Sequence, residues 1–160
     1  MLSPWKRIFI LLYDSTVNLC AVCIVASICL IGINDIWHRY GGSKIATTDE
    51  QIALNYRKIL ERIKNETNAK IVILAPFILD APGKESMRED LVKLLSIVRC
   101  LAEEFADAYV PLDEKFDEAL KVQPEPFYYS ADGVHPNDNG RVFIGKLYAE
   151  ALEPIIKELI

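Results

Sequence analysis

Apolar residues recur along this chain in two different spacings that take turns. Residues 23–32, "CIVASICLIG", form a short continuous run rich in Ile, Val and Cys that stops at Gly32. Residues 69–77, "AKIVILAPF", form a second run stopped by Pro76, and residues 107–113, "DAYVPLD", a shorter third. Runs of this length and composition predict strands buried on both faces. Between them the spacing changes to that of a helix. In "TTDEQIALNYRKILERIKNET" the apolar positions Ile52, Tyr56, Ile59 and Ile63 share one side, and Thr48 with Gln51 three residues on forms a capping box. In "SMREDLVKLLSIVRCLAEEFA" Leu91, Leu94, Leu95, Val98 and Leu101 do the same. "EKFDEALKV" predicts a third, shorter helix, and a Pro-rich loop, "QPEPFYYSADGVHPND", leads into a last one from Asn139 to Leu159. Strands alternating with helices predict an α/β fold, a parallel sheet covered by helices with ligand sites at the carboxyl ends of the strands.

Composition narrows this picture. The 160 residues fit one domain, with 51% hydrophobic and 26% charged residues. The net charge of −5 is spread along the chain, which argues against a nucleic-acid surface. Cys20 and Cys23 have CxxC spacing, but no second pair and no nearby His completes a metal set. Together with Cys29 and Cys100 they are expected as buried free thiols, which favours a cytoplasmic protein. Lys6 and Arg7 precede "IFILLY", and a second apolar run extends from Leu19 to Ile33. That run is shorter than the roughly 18 residues of a spanning helix. Residues 1–23 are therefore an atypical apolar segment for which buried strand is expected before a membrane anchor.

Two polar blocks carry the candidate chemistry. "GIND", Gly32 to Asp35, follows the first buried strand, so the Asn34 amide can serve a developing oxyanion as a donor. The same residues also suit a helix cap or turn. "DGVH", Asp132 to His135, lies in a turn before the last helix. A carboxylate three residues from an imidazole can fix its tautomer and raise its basicity, and Pro136 keeps His135 extended. A turn-stabilising pair or a surface His are the other readings. His38 is expected at the surface. Trp37 and Phe77 are placed either in an acyl or sugar pocket or in the core.

Taken in order, "GIND" after a buried strand and "DGVHP" before a final helix resemble the SGNH (GDSL-type) hydrolase family, over residues 24–158. The resemblance implies a three-layer flavodoxin-like α/β fold. It also implies hydrolysis of a carboxylic ester by a Ser-His-Asp triad, without metal or other cofactor. The substrate would be a small-molecule or carbohydrate ester: acetylated carbohydrate, short acyl ester or lipid. His135 would be the general base, Asp132 its orienting acid and Asn34 the oxyanion donor, with Gly32 in the same block. Asp14-Ser15 stands where the family's Gly-Asp-Ser block belongs, with Tyr13 in the Gly position, which makes Ser15 the candidate nucleophile. The family's second-block Gly has no counterpart.

Too few residues join 7–13 to 24–31 for a parallel crossover, so an antiparallel hairpin is expected there. Ser15 would then lie roughly 25 Å from Asn34 at about 3.3 Å per residue. The chain thus reads as a family member shortened at its N-terminal side, with weak or absent hydrolysis. The rival is a non-catalytic remnant that binds a ligand or partner through the same cleft.

Overall fold

The computed structural model describes residues 26–40 and 47–158. Three parallel strands, β1 (Ala26–Cys29), β2 (Lys70–Leu74) and β3 (Ala108–Val110), form a sheet in the order β1-β2-β3. Ala26 lies opposite Lys70 and Cys29 opposite Ile73, while Val72 pairs with Ala108 and Leu74 with Val110. All three strands therefore point their carboxyl ends the same way. Five helices accompany them: α1 (Ile33–Tyr40), α2 (Asp49–Glu66), α3 (Arg88–Phe105), α4 (Leu112–Val122) and α5 (Asp138–Glu158).

Alternation along β2 builds the three layers. Ile71 and Ile73 belong to one apolar cluster with Tyr56 and Leu60 of α2 and Leu91, Leu94 and Val98 of α3. Val72 turns the other way, onto Leu152 and Ile155 of α5, and Leu74 packs with Phe116 of α4 and Tyr129. A period of two in one strand thus commits helices to both faces. The whole stretch from Ile71 to Leu79 is buried. Helix α2 starts where its cap predicts: the Thr48 hydroxyl accepts from the Gln51 N–H at 3.3 Å, and the Gln51 side chain accepts from the Thr48 N–H at 3.0 Å.

Two expectations need correction, the burial of the first strand and that of Cys100. The first strand is not buried on both faces, since Ile28 is 42% and Leu30 43% exposed. It lies at the edge of the described sheet, and α5 crosses β2 and β3 instead of reaching over Ile28. "GIND" is, as one of its readings had it, a turn that opens a helix. The Gly32 carbonyl accepts from the N–H groups of Asp35 and Ile36 at 3.1 and 3.3 Å, which opens α1 with Asn34 in its first turn. Cys29 is buried as expected, but Cys100 is exposed on α3. Cys20, Cys23, Ser15 and the proposed 7–13 strand lie outside the described residues. Among the described residues no helix is long and apolar enough to cross a membrane.

Candidate active site

Asp132 and His135 come from a loop whose shape is set mostly by its own hydrogen bonds. Ser130 and Pro136 form an antiparallel bridge, and the Tyr129 carbonyl accepts from the Asn137 N–H at 3.0 Å, so the loop closes on itself. Inside it, the buried Ser130 hydroxyl accepts from the Gly133 N–H at 2.9 Å and donates to the His135 carbonyl at 2.8 Å. Asp132 Oδ1 accepts from the N–H groups of Val134 and His135 at 3.1 and 2.8 Å. Such short-range bonds are the usual reason Ser and Asp hold turns. The loop then docks on the segment after β2, where the Leu79 N–H donates to the Gly133 carbonyl at 2.8 Å.

This leaves Asp132 Oδ2 free to meet His135 Nδ1 at 2.7 Å. An ionised carboxylate only accepts, so Nδ1 carries the proton and Nε2 of the neutral ring is left as an acceptor. Burial acts to raise the Asp132 pKa, but the His135 ring and the two backbone N–H groups outweigh it and hold the carboxyl down at about 2. The group is therefore ionised at neutral pH. A depressed carboxyl pKa contributes stability that is present above the unfolded value, near 3.8, and is lost as pH falls through the folded value near 2. The stability gap between the unmutated protein and Asp132→Asn is accordingly expected to narrow as pH drops from 4 to 2. Urea unfolding at several pH values measures it, and a gap constant with pH contradicts the assignment.

Asn34 lies at the same end of the sheet. It is exposed in the first turn of α1, and Trp37 follows three residues later on the same helix side. The Trp37 ring sits 5.5 Å from the His135 ring, tilted by 55°. Gly32, buried, supplies the turn between β1 and that helix. The far end of α1 is tied down by Arg39, which meets Asp49 of α2 at 2.6 Å and Asp90 of α3 at 3.1 Å. Beside the His135 loop runs a groove of about 400 Å³ lined by Leu79, Asp80, Ala81, Pro82, Lys84, Glu85 and Arg88. Phe77 does not line it: that ring is buried against Phe116 at 4.4 Å. His38 is exposed, as expected.

The structure therefore brings Asp132, His135 and the helix that carries Asn34 together, and Ser15 falls outside the described residues. Sequence reasoning missed Ser130, although a Ser two residues before an Asp in a Gly-containing loop is a turn signal. It also missed Lys84, whose Nζ lies 3.3 Å from the Trp37 ring centroid, and no local pattern marked that residue.

Residues 25–141 match the model of the GDSL-like lipase/acylhydrolase family. The chain is 27% identical over 126 residues to an acetylxylan esterase of Geobacillus stearothermophilus, covering 74% of this chain and 55% of that protein. A solved structure described as a GDSL-like lipase, from Parabacteroides merdae, superposes with a TM-score of 0.71 at 34% identity, over 78% of this chain and 58% of that one. An α/β hydrolase from the metagenome of Lake Arreo, at 21% identity, shares the fold with a TM-score of 0.69 over 82% of this chain and 61% of that one. The chain thus spans little more than half the length of these relatives. With a family match across well over half of its residues, and with both polar blocks inside it, the chain belongs to the GDSL-like lipase/acylhydrolase family.

Proposed function

We propose that the cleft between α1 and the Ser130–Pro136 loop hydrolyses carboxylic esters, with His135 as general base, Asp132 as its orienting acid and Asn34 as oxyanion donor. Gly32 sets the turn that presents Asn34. The observation that carries this reading is the 2.7 Å contact between His135 Nδ1 and Asp132 Oδ2, on a ring whose side chain is 70% exposed. An imidazole held at one nitrogen and open at the other is arranged to take a proton from an attacking hydroxyl. Acetylated carbohydrate is the substrate class that fits best, because the Geobacillus relative is an acetylxylan esterase.

Ser130 is buried and engaged with its own loop, so its hydroxyl does not serve as nucleophile. The attacking group in this reading is water. His135 Nε2 accepts a water proton as the oxygen adds to the ester carbonyl, and the carbonyl oxygen takes up negative charge beside the Asn34 amide. The intermediate then collapses, and the departing alkoxide recovers the proton from Nε2. A positioned base contributes roughly 10²–10⁴-fold, so turnover is slow compared with a complete triad.

The full chain is expected to hydrolyse p-nitrophenyl acetate above the buffer rate, to lose that excess in His135→Ala, and to keep it in Ser15→Ala. A fluorophosphonate probe is expected to leave it unlabelled. Stoichiometric labelling that disappears in Ser15→Ala would replace the water route with a Ser15 nucleophile. Equal rates for the unmutated chain and His135→Ala would favour the second reading, a cleft that binds without turnover.

A further inference from the structure

Among the described residues the His135 ring has one hydrogen bond to hold it, and one is not enough to fix a ring. The Nδ1 contact with Asp132 at 2.7 Å fixes one ring atom, yet the plane of the imidazole can still swing about that contact. With 70% of the side chain exposed, little else restrains it. Among the described residues, the one aromatic neighbour of His135 is Trp37, whose centroid lies 5.5 Å away with the ring planes tilted by 55°. Tilted aromatic contacts at this distance are favourable because the edge of one ring meets the face of the other.

Trp37 is itself restrained on two sides. Its indole packs against the buried cluster of Ile36, Met87, Leu91 and their neighbours. The Lys84 ammonium sits over the ring at 3.3 Å from the centroid, a cation placed on the negative face of a π-system. Trp37 therefore belongs to a fixed wall, whereas His135 belongs to a loop that meets that wall from the opposite side of the cleft.

We infer that Trp37 is a positioning residue. Its ring, backed by Lys84 and the core, holds the plane of the His135 imidazole so that Nδ1 stays on Asp132 and Nε2 faces the cleft. The value of this placement for ester hydrolysis rests on the function proposed above. The contact itself does not, and its test involves no turnover.

The chain has two His and two Trp. Ring resonances of His135 can therefore be assigned with His38→Gln, and those of Trp37 with Trp5→Phe. In the otherwise unmutated chain, nuclear Overhauser effects are expected between the His135 ring protons and the Trp37 indole. Ring nitrogen shifts are expected to report one neutral tautomer, protonated at Nδ1. Trp37→Leu retains apolar bulk without a ring; it is expected to lose the single tautomer and give averaged nitrogen shifts at His135, while His38 is unmoved. Trp37→Phe is expected to restore most of the Nδ1-protonated signature. A purely structural Trp would not single out His135 in this way.

His135 nitrogen shifts in folded Trp37→Leu that equal those of the unmutated chain would overturn the inference. If Trp37→Leu does not fold, the unmutated chain still decides it: absent Overhauser effects between the two rings also overturn it. A chain that hydrolyses no ester passes or fails this test unchanged, so the two readings fail separately.

Discussion

Gly140→Ala is expected to destabilise the protein by about 3 kcal/mol or more, while Gly145→Ala, five residues along the same helix, stabilises it by about 0.5–1 kcal/mol. A Cβ on Gly140 would stand 2.1 Å from the Tyr129 carbonyl oxygen and 3.0 Å from Pro136 Cβ. The close approach has a reason. The Asn137 side chain caps α5, accepting from the N–H groups of Asn139 and Gly140 at 3.0 and 3.1 Å, and the Tyr129 carbonyl accepts from Asn137 N–H at 3.0 Å. The first turn of α5 is thereby pressed onto the start of the Ser130–Pro136 loop. Relief would have to move Tyr129, whose ring lies 5.6 Å from both Phe116 and Phe143 in the core. Gly145 is exposed and has nothing within 4 Å of its added Cβ, so only the ordinary gain in helix propensity remains. Urea unfolding of both variants measures the pair. Equal signs would show that the loop yields to the methyl group more readily than these contacts allow.

Gly133→Ala is expected to cost about 3 kcal/mol, roughly 10 °C in melting temperature for a chain of this size, and to dismantle the candidate site with it. Two effects combine. Gly133 has φ +89°, a region where a Cβ meets its own backbone. That Cβ would also stand 2.9 Å from the Leu79 carbonyl oxygen and 2.9 Å from Ala81 Cβ. Neither neighbour is the movable end of a flexible side chain. The loop must therefore lift from the segment after β2, giving up the bond from Leu79 N–H to the Gly133 carbonyl. Because Ser130 binds the Gly133 N–H and the His135 carbonyl together, lifting the middle of the loop also displaces His135. Thermal unfolding checks the first effect. The pH dependence of stability between 4 and 2 checks the second, because the Asp132 contribution should fade with its partner. A variant that melts like the unmutated chain and keeps that dependence would refute both.

What the sequence by itself determined is what short-range physics controls. The three strands and the helices α2 to α5 follow from short continuous apolar runs, from apolar positions at helical spacing and from a capping box at Thr48, all properties of neighbouring residues. Asp132 and His135 are three residues apart beside a Gly, so their meeting needs only a turn. Two polar blocks in the order of a known family were enough to place the chain in it.

Only the tertiary structure decided what depends on residues far apart in the chain. Whether Ile28 is covered depends on where α5 crosses the sheet, more than a hundred residues later. Whether Phe77 lines a cleft or fills the core depends on Phe116 of α4, and the structure puts it in the core. Trp37 meets His135 from 98 positions away in the chain, and Lys84 joins them from a third segment. Each of these contacts comes from packing helices on both faces of the sheet, which brings the segments leaving the carboxyl ends of parallel strands to one edge.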